Sequence, residues 1–165
     1  MKRRSLCLAA CLLLAGCSGL RPEDLRFTRG GRFSAQYLGR GGSRETVSGR
    51  FLLQRFGDTT RLDLMTPLNG ILARIEVTPQ GAFLSRSADG EAQRADSAEE
   101  LMRSNVGFSL PVEAIERWMT SPEEEISEYG WRIRIVRRND KGDPQVIRAQ
   151  CDSPFVKATL AADTF

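Results

Sequence analysis

From Leu25 to Ala161 apolar side chains return at every second position in run after run, and that period admits a β-sheet and little else. Within 25–38, Phe33, Ala35 and Tyr37 fall on one side; Leu62 and Leu64 do so within 60–65, and Ala73, Ile75 and Val77 within 71–78. Turn chemistry separates the runs: Gly39-Arg40-Gly41-Gly42-Ser43 before the strand predicted over 45–56, Gly57-Asp58 after it, and Thr66-Pro67-Leu68-Asn69-Gly70 before Ile71. Residues 83–85 read as a short further strand closed by Asp89-Gly90. Strands resume over 131–138, turn at 139–142, and continue over 145–150 and 156–161. Arginines and acids fill many alternate positions, so one sheet face is wet and the other apolar.

Two helices interrupt the strands. Ser97 and Glu100 form a capping box ahead of Leu101 and Met102, which predicts a helix to about Asn105. Pro111 suits the first turn of a second helix, which places Ile115, Trp118 and Met119 on one face and is limited by Pro122. The run Glu123-Glu124-Glu125 reads as a solvated loop. No internal repeat is evident. The economical architecture is mainly β (α+β): a single curved antiparallel sheet with a small helical insertion.

The N-terminus carries an address. Lys2-Arg3-Arg4 precede ten apolar residues, Leu6 to Ala15, too few to span a bilayer and suited to a secretory signal. The segment ends in Leu14-Ala15-Gly16-Cys17, which looks like a bacterial lipobox, where the cysteine thiol takes a diacylglyceryl group through a thioether. The expected organisation is a signal peptide over 1–16, a lipidated N-terminus and tether over 17–24, and one folded domain over 25–165. By resemblance to bacterial sorting rules, Ser18 after the acylated Cys17 permits release to the outer membrane. Ser18 to Asp24 reach at most about 25 Å when fully extended, so the domain is expected close to the lipid surface.

Charge and cysteine usage narrow the function. The chain has 24 Lys and Arg against 21 Asp and Glu, and loss of the three N-terminal cations leaves a balance near zero. That removes the electrostatic argument for nucleic-acid binding. Histidine is absent, so no Ser-His-Asp triad, Cys-His pair or ordinary zinc site is available, and no metal or cofactor is expected. Cys7 and Cys11 would leave with the signal and Cys17 would be acylated. Cys151 then has no disulfide partner and reads as a small residue of a C-terminal strand. Asp58 and Asp63 could in principle serve as acid and base, but their spacing is unremarkable and solvated surface charges are by far the simpler reading. Gly-x-Ser-x-Gly is missing, and Gly39-Arg40-Gly41-Gly42 has no helix after it to cradle a phosphate. The chain reads as a non-enzyme.

Several segments, in order, are similar to LolB-type outer-membrane lipoproteins. They are Gly31-Arg32-Phe33, Ser48-Gly49-Arg50-Phe51, Thr66-Pro67-Leu68-Asn69-Gly70, Gly107-Phe108-Ser109-Leu110-Pro111-Val112, Ile115-Glu116-Arg117-Trp118, Tyr129-Gly130-Trp131 and Pro144. The resemblance covers most of the chain after the lipobox. It implies an incomplete antiparallel β-barrel with a helical lid enclosing an apolar cavity. It also implies a monomeric receptor that accepts acylated lipoproteins from the periplasmic carrier LolA and inserts their chains into outer-membrane lipid. Two features depart from the family pattern: little room for a helix between Arg21 and Phe27, and Asn69 where the family's Pro-Leu-Gly turn has glycine, displaced here to Gly70.

Pro67, Leu68, Asn69 and Gly70 are, by that resemblance, the membrane-insertion loop, with Leu68 at its exposed tip. Pro67 fixes one torsion and Asn69-Gly70 permit the positive φ of a tight turn. On the residues alone, Leu68 would sooner fold back onto the sheet edge. Phe33, Tyr37, Phe51, Leu53, Leu62, Leu64, Ile75, Trp118, Met119, Trp131 and Ile133 are the candidates for an acyl cavity, and equally for plain core. The alternative function is a lipid-binding or structural assembly lipoprotein of the same fold that receives nothing from LolA.

Overall fold

The computed structural model describes residues 20–68, 70–86 and 91–163. A 3-10 turn at Pro22–Asp24 leads into β1 (Leu25–Leu38), β2 (Arg44–Phe56), β3 (Thr59–Met65), β4 (Ile71–Thr78), β5 (Gly81–Ser85) and β6 (Gln93–Ala95). Then come α1 (Ala98–Val106), α2 (Val112–Thr120), β7 (Glu125–Glu128), β8 (Trp131–Arg138), β9 (Pro144–Asp152) and β10 (Phe155–Ala162). The strands form one antiparallel ten-stranded sheet in the order β6-β5-β4-β3-β2-β1-β10-β9-β8-β7. Every neighbouring pair but one is consecutive in the chain. The exception, β1 beside β10, joins a meander that runs out to β6 with one that returns from β7.

The two edges β6 and β7 are therefore also the two ends of the helical segment. α1 packs against β4, β5 and β6, and α2 against β3 and β9, so the helices close what the strands leave open. This is an incomplete barrel with a helical lid over an apolar interior.

Register explains why that interior is continuous. Phe33 lies between Gly49 and Leu160, Leu62 between Leu53 and Ile75, and Ile147 between Ile135 and Leu160. Each inward residue thus stacks on inward residues of both neighbours, and all but Gly49 belong to one buried cluster. At Gly31 the strands approach too closely for any side chain: a Cβ there would lie 2.1 Å from the Ala161 carbonyl oxygen. The Gly31→Ala substitution should cost about 1–3 kcal/mol through displaced backbone, read as a lower urea midpoint. An unchanged midpoint would mean that β1 and β10 separate freely.

The helices begin and end for local reasons. Ser97 Oγ accepts the Glu100 amide at 3.3 Å to start α1, and Gly107 ends it at φ +84°. Gly107 is also hemmed in, since a Cβ would stand 2.9 Å from the Tyr37 ring. Pro111 sits at the N-cap of α2, one place earlier than the first turn, and its carbonyl accepts the Ala114 amide at 2.8 Å.

The expected strands and helices are all present, with ends moved by one or two residues. Two strands are additions. β6 is three residues without alternation, and β7 takes Glu125 out of the expected loop to pair with Arg134. Asp63 is also corrected: it is buried rather than solvated, because Arg74 on β4 bonds both its oxygens at 2.7 Å. Residues 1–19, with Cys17 and Ser18, lie outside the described residues, as do Asn69 and Asp89-Gly90.

Candidate functional site

The β3–β4 connection is a short loop closed at its base by Thr66. The Thr66 amide donates to the Gly70 carbonyl at 2.8 Å, and Thr66 Oγ1 accepts the Gly70 amide at 3.0 Å. Pro67 and Leu68 are carried beyond this clamp, and Leu68 is 93% exposed. The expectation from the residues alone, that Leu68 folds back onto the sheet edge, is overturned. Both clamping bonds come from Thr66 and Gly70, so nothing in the loop's closure requires a leucine at its tip. Leu72, on the following strand, is a second exposed leucine close to the loop in sequence.

The cavity candidates meet inside the barrel. Phe33, Phe51, Leu53, Leu62, Leu64, Ile75, Trp118, Met119, Trp131 and Ile133 are all buried, at no more than 7% exposure, in one cluster. Tyr37 is half-buried at the cluster's margin. The side chains of this group fill the space between sheet and lid. Two open grooves each touch one of these candidates, Ile133 in the first and Tyr37 in the second. One of about 560 Å³ runs over β7–β10, bordered by Ile126, Ile133, Arg134, Arg148 and Lys157. The other, of about 600 Å³, lies between the β1–β2 turn and the α1–α2 connection, against Tyr37, Phe108 and Phe155.

Polar contacts fasten the lid at several points. Trp118 Nε1 donates to Glu128 at 2.6 Å, Arg117 reaches the other Glu128 oxygen at 3.0 Å, and the Trp118 and Trp131 rings lie 5.9 Å apart. Arg55 on β2 pairs with Glu116 on α2 at 2.7 Å. Arg86 donates to the Asn105 carbonyl, and the Asn105 amide to Gln93 at 2.8 Å. At the second groove, Tyr37 stacks on Phe108 with centroids 5.4 Å apart and donates to Glu45 at 2.9 Å. Burial first, then Glu45 by hydrogen bond and charge, holds the Tyr37 phenol above its ordinary pKa.

Sequence reasoning missed Glu116 and Glu128 as lid fasteners. Glu116 stands two residues from Trp118 in the sequence, but its partner Arg55 is on β2, and Glu128 meets Arg117 and Trp118 only because β7 returns beside α2. Cys151 is buried in β9, its thiol 3.6 Å from the Ser153 carbonyl, as expected of a structural residue. Among the described residues no group of three or more Cys, Asp or Glu is placed to hold a metal ion. No helix among them is long and apolar enough to cross a membrane.

A family model described as "Outer membrane lipoprotein LolB" matches residues 26–152. A protein of Ralstonia nicotianae named outer-membrane lipoprotein LolB is 32% identical to this chain, over 86% of the chain and 79% of the relative. Its namesake in Cupriavidus metallidurans is 41% identical over 82% and 77%. That of Chromobacterium violaceum is 27% identical over 97% and 98%. The open barrel, its two-helix lid, the Pro-Leu turn and these matches together show that the chain belongs to the LolB family of outer-membrane lipoproteins.

Proposed function

We propose that this protein is anchored to the outer membrane through acylated Cys17, accepts lipoproteins from a LolA-type periplasmic carrier, and inserts their acyl chains into the bilayer. The observation that carries the reading is Leu68, 93% exposed at the tip of a closed turn. An isolated leucine in water gains about 1.5–3 kcal/mol on entering an apolar phase, so such a tip is built to meet one.

Acyl chains need no directional recognition. An apolar interior accepts them at about 0.8 kcal/mol per methylene and gives them up to a bilayer, which buries them better. Transfer therefore runs downhill without a catalytic step or an energy source. Because Trp118, Met119 and their neighbours fill the interior, an arriving chain must displace the lid, and the Glu116 and Glu128 contacts add to the cost of exposing its apolar face.

The filled interior favours a second reading, an assembly lipoprotein that acts through its surface and holds no acyl chain. Transfer separates the two. The domain with Cys17→Ala is mixed with a carrier loaded with labelled lipoprotein, and label is expected to move from carrier to domain. A folded domain that acquires none leaves the second reading standing and removes the first.

A further inference from the structure

Leu68 and the anchor leave the domain at opposite ends of the same strand. The Gly57 amide bonds the Asp24 carbonyl at 3.0 Å, and Leu25 pairs with Phe56, so the tether departs beside the turn that starts β3. The Leu68 loop follows Met65, where β3 ends. Seven residues of strand separate the two exits by about 20 Å. Because Pro22–Asp24 is coiled, the extendable tether from Cys17 to Arg21 spans at most about 17 Å. With β3 upright and the anchor end down, Leu68 is held away from the lipid. With Leu68 down, the tether falls short.

We infer that the domain lies on the membrane with β3 inclined towards the bilayer plane and the outer face of β1–β4 against anionic lipid headgroups. The inference rests on the proposed anchoring at Cys17 and membrane entry of Leu68. The inner face is covered by core and lid, so the outer face is the sheet surface that joins the two exits. Its chemistry fits a lipid surface. It carries Arg26, Arg32, Arg50, Arg61 and Arg74, with Leu72 exposed beside the loop and Leu25 exposed at the tether. Its acids are neutralised: Asp63 by Arg74, Glu76 by Arg61, and Asp163 by Arg50. Arg26 and Arg32 have no acid partner among the described residues.

The near-zero net charge conceals this polarity. Residues 25–86 hold ten arginines and four carboxylates, whereas 91–124, which include the lid, hold three and eight. An anionic surface therefore attracts the β1–β4 side and repels the lid, which leaves the lid turned to the aqueous phase.

The test uses the lipidated full chain with Cys151→Ala, in vesicles of phosphatidylcholine and phosphatidylglycerol at about 4:1. Single environment-sensitive fluorophores are attached at Leu68→Cys, Thr28→Cys and Leu72→Cys, and on the lid at Glu113→Cys. Shielding from an aqueous quencher is expected at the first three and not at Glu113. Shielding at Leu68 with Thr28 and Leu72 as open as Glu113 overturns the inclined pose and leaves the insertion loop intact. An open Leu68 overturns the reading beneath it as well. Shielding of Thr28 by the carrier alone, without vesicles, would assign the face to a protein and also overturn the proposal. In the domain with Cys17→Ala, Arg26→Glu with Arg32→Glu should weaken binding to the anionic vesicles at least about 25-fold, at about fivefold per cation. Equal binding by that variant counts against the face.

Discussion

Leu68→Glu should abolish insertion into vesicles while leaving the receipt of lipoprotein from the carrier intact. Loss of a leucine side chain from an apolar phase costs about 1.5–3 kcal/mol, which is about ten- to a hundredfold in rate if the tip enters the bilayer at the transition state. A carboxylate in its place adds the cost of burying charge. Stability should change by no more than about 0.5 kcal/mol, because Leu68 is 93% exposed and the turn is clamped by Thr66 and Gly70. The two steps are measured separately, with labelled lipoprotein moving first from carrier to domain and then from domain to vesicle. Leu68→Ala should fall between wild type and Leu68→Glu. Wild-type insertion by Leu68→Glu would remove the loop from the mechanism.

Trp118→Ala should be the most damaging single change to the fold. Trp118 is fully buried, packs on Trp131 and ties α2 to β7 through Glu128. Removing the indole leaves a large cavity and takes one partner from Glu128, a loss of about 3–5 kcal/mol. Domains of this kind have only about 5–15 kcal/mol in all, so the denaturant midpoint should fall by about a fifth or more. Trp118→Phe separates the two contributions, since it keeps most of the volume and loses the bond to Glu128. It should cost less than half as much. A midpoint for Trp118→Ala within about 1 kcal/mol of wild type would show that α2 contributes little to holding the interior closed.

Much of this fold was legible because its signals are local. The alternation of Phe33 with Ala35, or of Leu62 with Leu64, needs no knowledge of the rest of the chain, and Ser97 with Glu100 starts a helix by its own chemistry. What stayed hidden depends on register. Gln93–Ala95 becomes a strand only because Ala82–Leu84 is there to pair with it. Asp63 looks like any surface acid until β4 sets Arg74 opposite. The exposure of Leu68 could not be decided from its neighbours, because a Pro-Leu-Asn-Gly turn can fold either way; only the Thr66 clamp and the strands beneath it settle the direction. The cavity candidates were found from strand alternation, with Trp118 and Met119 added from one face of the second helix. That they fill the interior is a matter of volumes, which a sequence does not display.

The pairing of β1 with β10 has a consequence for how the chain reaches this state. Strands from β1 to β6 can assemble as the polypeptide emerges, each on the one before. The return meander can likewise build itself from β7 onward. Neither half acquires its partner until the last strand is made, because Gly31 must meet Ala162 and Phe33 must meet Leu160. Pairings so distant in sequence are slow to form, and until then β1 presents an open edge able to pair with another chain. The seam at the middle of the sheet is therefore the last to be sewn, and the interval before it closes is when this protein is most exposed to aggregation.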